Sequence, residues 1–249
     1  MENFEAFSPL VLLGVTVAAF LTSTVHGATG VAGGFLLSAA LAPIIGVAPI
    51  VPVISVSLLI SHSARALLNL RDFHLRAFLL VSVPAIPCIA GMALLYGRMS
   101  SSLIALVLGC VILTSIPLRR WAKARQVKTS APVLSSVGAV YGALSGISIG
   151  PGMLLVPFML GYGLVKEQFV ATLAVIALLT NITRVSIFGA TDLLTGEFLA
   201  LGILCGLVTI PGNWLGRTVL RRLTNANHAG LVDVLTVLGA LNFFWLATR

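Results

Sequence analysis

Apolar stretches follow one another along almost the whole chain, separated by short polar or glycine-containing segments. They fall at 8–25, 31–47, 49–70, 75–96, 101–118, 132–149, 151–164, 168–190, 194–215 and 229–247. A helix needs about 20 residues to cross a bilayer, at 1.5 Å per residue. Segments 31–47 and 151–164 are short, which makes them candidates for half-helices that turn back inside the membrane. The pattern predicts an all-α polytopic membrane protein with about 8–10 membrane segments.

The second half of the chain repeats features of the first half at a nearly constant distance. Positions that match are Gly30 and Gly146 (116 apart), Gly34 and Gly152 (118), Arg65 and Arg184 (119), Asp72 and Asp192 (120), and Gly97-Arg98 and Gly216-Arg217 (119). Each copy opens with a glycine-broken apolar pair, GATGVAGG at 27–34 and SGISIGPG at 145–152. We therefore predict a duplicated unit, with halves at 1–118 and 132–249 joined by a linker at 119–131.

Composition and charge exclude several classes of protein. Only 9% of the residues are charged, against about 25% in soluble domains. The net charge of +8 comes from basic residues in short loops, which is the pattern of membrane topology and not of a nucleic-acid-binding face. The chain has no GxxxxGK[ST] motif, which argues against an ATP-driven pump. Its acidic beginning, MENFEAFSPL, is unlike a signal peptide, so the first apolar stretch is expected to be part of the mature protein.

The loop charges predict how the chain is oriented. Segment 119–128, RRWAKARQVK, holds five basic residues and no acid, which favours the cytoplasmic side. A second basic loop contains Arg217, Arg221 and Arg222, whereas the acidic N-terminus and Asp192 are expected outside. Five segments per half is an odd number, so the second half should be inverted relative to the first. Inverted repeats are the architecture of secondary transporters, whose site lies at the repeat interface.

Two arginines inside apolar helices are the strongest candidates for chemistry. Helix 49–70 carries Ser61, His62 and Arg65, and helix 168–190 carries Thr180, Asn181 and Arg184. Both sets share the pattern [Ser/Thr]-[His/Asn]-x-x-Arg, which places the polar side chains on one face of each helix. No acidic residue lies deep in an apolar segment to pair with the arginines. A guanidinium with hydroxyl and amide neighbours is suited to sulfonate, sulfite, carboxylate or phosphate oxygens. The alternative is that both arginines extend to nearby interfaces.

The glycine breaks and two histidines complete the set of candidates. Backbone N–H groups at Gly33-Gly34 and at Gly150 and Gly152 would favour an anion at the helix N-termini that follow. The alternative is that the glycines only permit close helix packing. His26 and His62 are candidates for a proton relay, although a structural hydrogen bond explains either of them equally well. Cys88, Cys110 and Cys205 lie in apolar segments without metal-ligand spacing, so neither a metal nor another cofactor is predicted.

The paired glycine-rich segments, GATGVAGGFLLSAALAPIIG and GALSGISIGPGMLLVPFMLGYG, each followed by a helix that carries polar residues, resemble the sulfite exporter TauE/SafE family of membrane transporters. The resemblance covers nearly the whole chain. It implies export of a small anion, such as sulfite, sulfoacetate or a related organosulfonate or organic anion, across the bacterial cytoplasmic membrane. The expected partners are that anion and the lipid bilayer, and assembly into homo-oligomers stays open.

Functions of other classes fit the same residues less well. An anion channel is an alternative, but the sequence shows no ring of carboxylates and no filter-like loop. A non-transporting membrane scaffold would not need a buried arginine. An intramembrane protease is a weak alternative, because Ala143-Leu-Ser-Gly146 lacks the leading glycine of a GxSG motif.

Overall fold

The computed structural model describes residues 7–29, 33–124, 128–220 and 225–248, and the regular structure within these ranges is helical. The helices are α1 (Pro9–Thr29), α2 (Gly33–Ile45), α3 (Ile50–Asn69), α4 (Leu75–Tyr96), α5 (Ser101–Ala124), α6 (Ala131–Ile147), α7 (Gly152–Gly161), α8 (Lys166–Ala190), α9 (Gly196–Leu220) and α10 (Asn225–Ala247). A 3₁₀ turn, Leu70–Asp72, follows α3. The predicted all-α class is confirmed, and each apolar stretch of the sequence corresponds to one helix.

Four of these helices contain segments that are long and apolar enough to cross a membrane. They are Ile50–Leu67, Leu75–Tyr96, Glu167–Ala190 and Gly196–Gly216. Among the shorter helices, α2 has 13 residues and α7 has 10. At 1.5 Å per residue their lengths are about 20 Å and 15 Å, which is less than the apolar thickness of a bilayer. The two segments that were expected to be short are therefore the two shortest helices of the described chain.

The helix neighbours form matched sets. Helix α4 packs along α6 as α9 packs along α1, and α3 contacts α9 as α8 contacts α4. The short helices follow the same rule, since α2 contacts α1, α3 and α10 while α7 contacts α6, α8 and α5. The pairs α3–α8 and α5–α10 join equivalent helices of the two halves. Exchanging α1–α5 with α6–α10 thus leaves the principal contacts unchanged.

Glycines allow the closest of these contacts. A methyl group built on Gly138 would lie 2.6 Å from the carbonyl oxygen of Val81, and one on Gly142 would lie 2.7 Å from the Cα of Ala85. Both glycines are buried in α6 against the backbone of α4. Close helix packing is therefore the role of Gly138 and Gly142. Real side-chain carbons stay beyond 3.0 Å, so any larger residue at either position would force the helices apart.

The two glycine breaks approach each other inside the bundle. A methyl group on Gly34 would lie 2.9 Å from Cγ2 of Ile149, and one on Gly150 would lie 3.9 Å from the ring of Phe35. Gly150 has a φ of +98°, a conformation that L-residues with a side chain rarely adopt. The start of α2 and the turn between α6 and α7 are therefore neighbours, as expected if both breaks border one shared space.

The linker predicted at 119–131 is only partly a loop. Helix α5 continues to Ala124, and α6 begins at Ala131. The apolar pattern ends near residue 118 because the helix leaves the apolar part of the membrane, but arginine, lysine and alanine are good helix formers and continue it. Trp121 packs on Phe158 of α7, with ring centroids 6.4 Å apart. Residues 125–127 of this linker lie outside the described ranges.

Candidate functional site

Arg184 lies inside the bundle, and part of its hydrogen-bonding capacity is not used by the described residues. Its side chain is 3% exposed, six residues before the end of α8. Neither Nε nor Nη2 has a hydrogen-bond partner among the described residues. A buried guanidinium is costly in a membrane protein, and such groups face a partner or a cavity. The alternative in which this arginine extends to the interface does not fit its burial.

Two tyrosines lie close to Arg184. Tyr141 of α6 contacts Thr180, one turn before Arg184 on α8, and Tyr96, at the end of α4, packs on Phe188, one turn after it. The hydroxyl of Tyr96 donates to the carbonyl of Ala48 at 2.9 Å, and its ring packs on Phe188 with centroids 5.4 Å apart. Both phenol rings are buried. These contacts hold the rings in place, so α4, α6 and α8 together enclose the guanidinium of Arg184.

Thr180 and Asn181 were predicted to share a face with Arg184, and both are buried beside it on α8. The Thr180 hydroxyl lies 2.9 Å from the hydroxyl of Tyr141, and it also donates to the carbonyl of Ile176 at 2.9 Å. Nδ2 of Asn181 donates to the carbonyl of Ala177 at 2.7 Å. Oδ1 of Asn181 has no partner in the described part of the molecule. The structure thus brings three of the predicted residues together around one buried position.

Arg65 lies near the C-terminal end of α3. Arg184 lies near the N-terminal end of α3, because the neighbouring Tyr96 donates its hydroxyl hydrogen bond to the carbonyl of Ala48, just before α3 begins. The opposite end of α3 adjoins the first part of α8, where the backbone N–H of His74 donates to Oγ1 of Thr172 at 3.0 Å. Arg65 therefore lies nearer the Thr172 end of α8 than Arg184 does. The two arginines are at different levels of the bundle.

The other predicted residues of α3 are placed near Arg65. Ser61, His62 and Arg65 are all half-buried. Asn69 donates from Nδ2 to the carbonyl of Arg65 at 2.7 Å and so completes the last turn of the helix. Arg65 is therefore on a partly open helix end, in contrast with the enclosed Arg184.

The backbone candidates lie near the two breaks. Gly33 and Gly34 begin α2, and Gly152 begins α7, separated from Gly150 by Pro151. A methyl group on Gly146 would lie 2.8 Å from the carbonyl of Ile89, so the α6–α7 turn is at the depth of the last turns of α4, where Tyr96 lies. His26 falls within α1 (Pro9–Thr29), and its side chain is outside the described part of the structure. Gly30 is also outside it.

A cleft of about 450 Å³ opens beside the second break. Its lining comes from α5, α6, α7 and the turn before α7: Val111, Thr114, Pro117, Trp121, Leu144, Gly150, Pro151, Met153 and Leu154. The lining is mainly apolar, so the cleft itself offers little to hold an anion. Elsewhere in the described chain, no three His, Cys, Asp or Glu side chains are grouped as metal ligands would be.

Sequence reasoning missed the tyrosines and Ser145. The side chain of Ser145 is buried one turn beyond Tyr141 on the same helix. A usable signal existed, because the chain has only three tyrosines, Tyr96, Tyr141 and Tyr162, and all of them fall in apolar stretches. A phenol that is buried in a membrane segment needs a partner for its hydroxyl. The arginine that each tyrosine lies beside depends on how the helices pack, and the spacing of residues along the chain does not reveal that packing.

The helices and the buried cation define a multi-pass membrane protein with a polar site inside its bundle. A family model described as Sulfite exporter TauE/SafE matches residues 15–243. The chain therefore belongs to this family of membrane transporters, as the glycine-rich segments indicated. Comparison with curated proteins and with solved structures gave no match.

Proposed function

We propose that this protein is a secondary transporter that exports a small anion across the cytoplasmic membrane. The substrate would be sulfite, sulfoacetate or a related organosulfonate or organic anion. The observation that carries the proposal is Arg184, whose buried guanidinium has two N–H groups without a partner among the described residues. An anion supplies the charge and the acceptors that the guanidinium lacks. The family supports transport as the general activity.

The architecture that we propose consists of two inverted halves, 1–118 and 132–249, joined by the basic linker. The matched helix contacts support this arrangement, since an exchange of the two halves preserves them. In that arrangement Arg65 and Arg184 stand toward opposite faces of the membrane. An anion would pass from one arginine to the other, with Ser61 and His62 assisting at the first and Thr180 and Asn181 at the second. Backbone N–H groups at Gly34 and Gly152 would line the space between them.

Alternating access explains the burial of Arg184 better than an open channel does. A permanent anion pore would keep its cation in contact with water, whereas Arg184 is 3% exposed. A carrier passes through closed states in which the site is sealed from both sides. Proton coupling through His26 or His62 is an additional proposal, and it is separable from anion binding.

The test is flux of sulfite and of sulfoacetate in proteoliposomes. Arg184→Lys keeps the charge but loses the two-pronged donor edge. We expect flux to fall about tenfold or more, because a lost charge-assisted hydrogen bond costs about 1.5–3 kcal/mol. Arg98→Lys is the matched control, since Arg98 is exposed at the end of α4, and it should transport normally. Unchanged flux in Arg184→Lys, or transport of a metal cation and no anion by the wild type, would contradict the proposal.

A further inference from the structure

The unused groups around Arg184 include both hydrogen-bond donors and an acceptor. Nε–H and the neighbouring N–H of Nη2 point from the same edge of the guanidinium, so together they hold two oxygens of one anion. Both nitrogens are buried without a partner in the described chain. This edge can bind the anionic group of a ligand, but it does not specify the rest of the ligand.

The acceptor is Oδ1 of Asn181. The amide nitrogen of Asn181 is already bonded to the carbonyl of Ala177 at 2.7 Å, which leaves the oxygen as the available group. That oxygen is buried without a partner among the described residues, in a side chain that is 2% exposed. An amide oxygen accepts hydrogen bonds and does not donate them. A fully deprotonated anion such as sulfate, or an alkanesulfonate, brings acceptors only and leaves this oxygen unsatisfied.

The two residues lie on the same side of α8, because positions three apart are neighbours on a helix surface. One small ligand can therefore contact both Oδ1 of Asn181 and the free edge of Arg184. We infer that the preferred substrate is an oxyanion that also carries a hydrogen-bond donor, such as a hydroxyl or N–H group near its anionic end. This inference rests on the proposed anion transport and narrows its substrate class: bisulfite and hydroxylated organosulfonates carry such a donor, whereas the sulfoacetate dianion carries none and should be transported more slowly. Arg184 holds the anion, and Asn181 selects for the donor.

The selectivity is expected to be large for a difference of one group. A buried polar atom that loses its only partner costs enough to change affinity by about tenfold to a hundredfold. Sites that are built to hydrogen-bond a hydroxyl reject the analogue that lacks it more strongly than apolar pockets reject a change in size. Oγ of Ser145 can donate or accept a hydrogen bond and so does not impose a choice.

The experiment compares 2-hydroxyethanesulfonate with propane-1-sulfonate, which have the same charge and nearly the same size. Each is supplied to proteoliposomes that contain the full chain, and initial flux at low concentration is measured. The wild type should transport the hydroxylated anion at least tenfold faster. In Asn181→Leu the ratio should fall to about one, mainly through a loss of 2-hydroxyethanesulfonate flux.

The outcomes separate this inference from the proposed function. Transport of both sulfonates at equal rates by the wild type would overturn the inference while leaving anion transport intact. The same holds if Asn181→Leu slows both anions equally, because Asn181 would then serve Arg184 and not the ligand. The wild-type ratio decides the matter even if the variant does not fold. No transport of these or any other anions would instead overturn the proposed function.

Discussion

Gly142→Ala should destabilise the protein, because Gly142 is where the backbones of α4 and α6 come closest to a clash. An alanine Cβ would lie 2.7 Å from the Cα of Ala85, and the carbonyl oxygen of Ala85 would be closer still. Non-bonded carbons prefer about 3.5–4.0 Å, so the helices would have to separate by about 1 Å. The neighbouring contact at Gly138 leaves equally little space, which prevents α6 from tilting to make room.

Two opposing terms set the size of the effect. Overpacking a close contact costs about 1–3 kcal/mol, and the clash with backbone atoms at Gly142 belongs to the upper part of that range, about 2–3 kcal/mol. Replacing glycine by alanine inside a helix recovers up to about 1 kcal/mol. The net loss is therefore about 1–2 kcal/mol, and a domain of this size loses about 2–4 °C in Tm for each kcal/mol. We expect Gly142→Ala to melt about 2–8 °C below the wild type.

The measurement is thermal unfolding of the detergent-solubilised protein, followed by tryptophan fluorescence. Gly91→Ala and Gly189→Ala are matched controls within α4 and α8, since a methyl group at either position meets nothing within 4 Å. Both controls gain helix propensity without a clash, so their Tm should equal or exceed that of the wild type. A Gly142→Ala protein as stable as these controls would show that the helices separate at no cost and would refute the reasoning.

Two further predictions concern the helix ends and the topology. Nδ1 of His74 accepts a hydrogen bond from the N–H of Ala77 at 3.2 Å and caps α4, so His74→Ala should lower the stability by about 1 kcal/mol. His74→Asn keeps an acceptor and should lose less in the same melting assay, whereas equal losses would contradict the capping role. Single cysteines at positions 128 and 192, in a cysteine-free background, should react with an impermeant thiol reagent from the cytoplasmic and the external side, respectively. Labelling of both from one side would contradict the inverted halves.

The sequence was sufficient to predict the helices because the membrane makes their lengths nearly compulsory. Each apolar stretch had to satisfy its backbone internally, and a helix is the way for a single segment to do so. The short lengths of α2 and α7 followed from the same count of residues. The end of α5 was predicted poorly, because the apolar pattern reports where the lipid ends and Ala124 continues the helix beyond it.

The candidate site was predicted on one helix and missed across helices. Thr180, Asn181 and Arg184 share a face of α8 by spacing alone, and the structure buries all three. Tyr96 and Tyr141 pack beside the same arginine from α4 and α6, and their approach depends on how those helices pack. That packing depends on backbone contacts at glycines. The four-residue spacing of Gly138, Gly142 and Gly146 indicates a close-contact face on α6 but does not reveal which helix meets it. Matching the halves also suggested two similar arginines, whereas the structure encloses only Arg184 and leaves Arg65 half-buried.

The unequal surroundings of the two arginines bear on how the proposed pathway works. At the offset of 119 that matches Arg65 to Arg184, the counterpart of Tyr96 is Leu215, and at the offset of 116 the counterpart of Tyr141 is Val25. Neither leucine nor valine can form a hydrogen bond with its side chain, so we expect the two ends of the proposed pathway to hold an anion with unequal strength. Unequal ends change how readily each face of the membrane loads its substrate. They cannot set the direction of net transport, because affinities for two states of one protein shift populations and supply no free energy over a complete cycle. Direction must come from the gradient of the anion or of a coupled ion, and the arginine surroundings decide only which face saturates first.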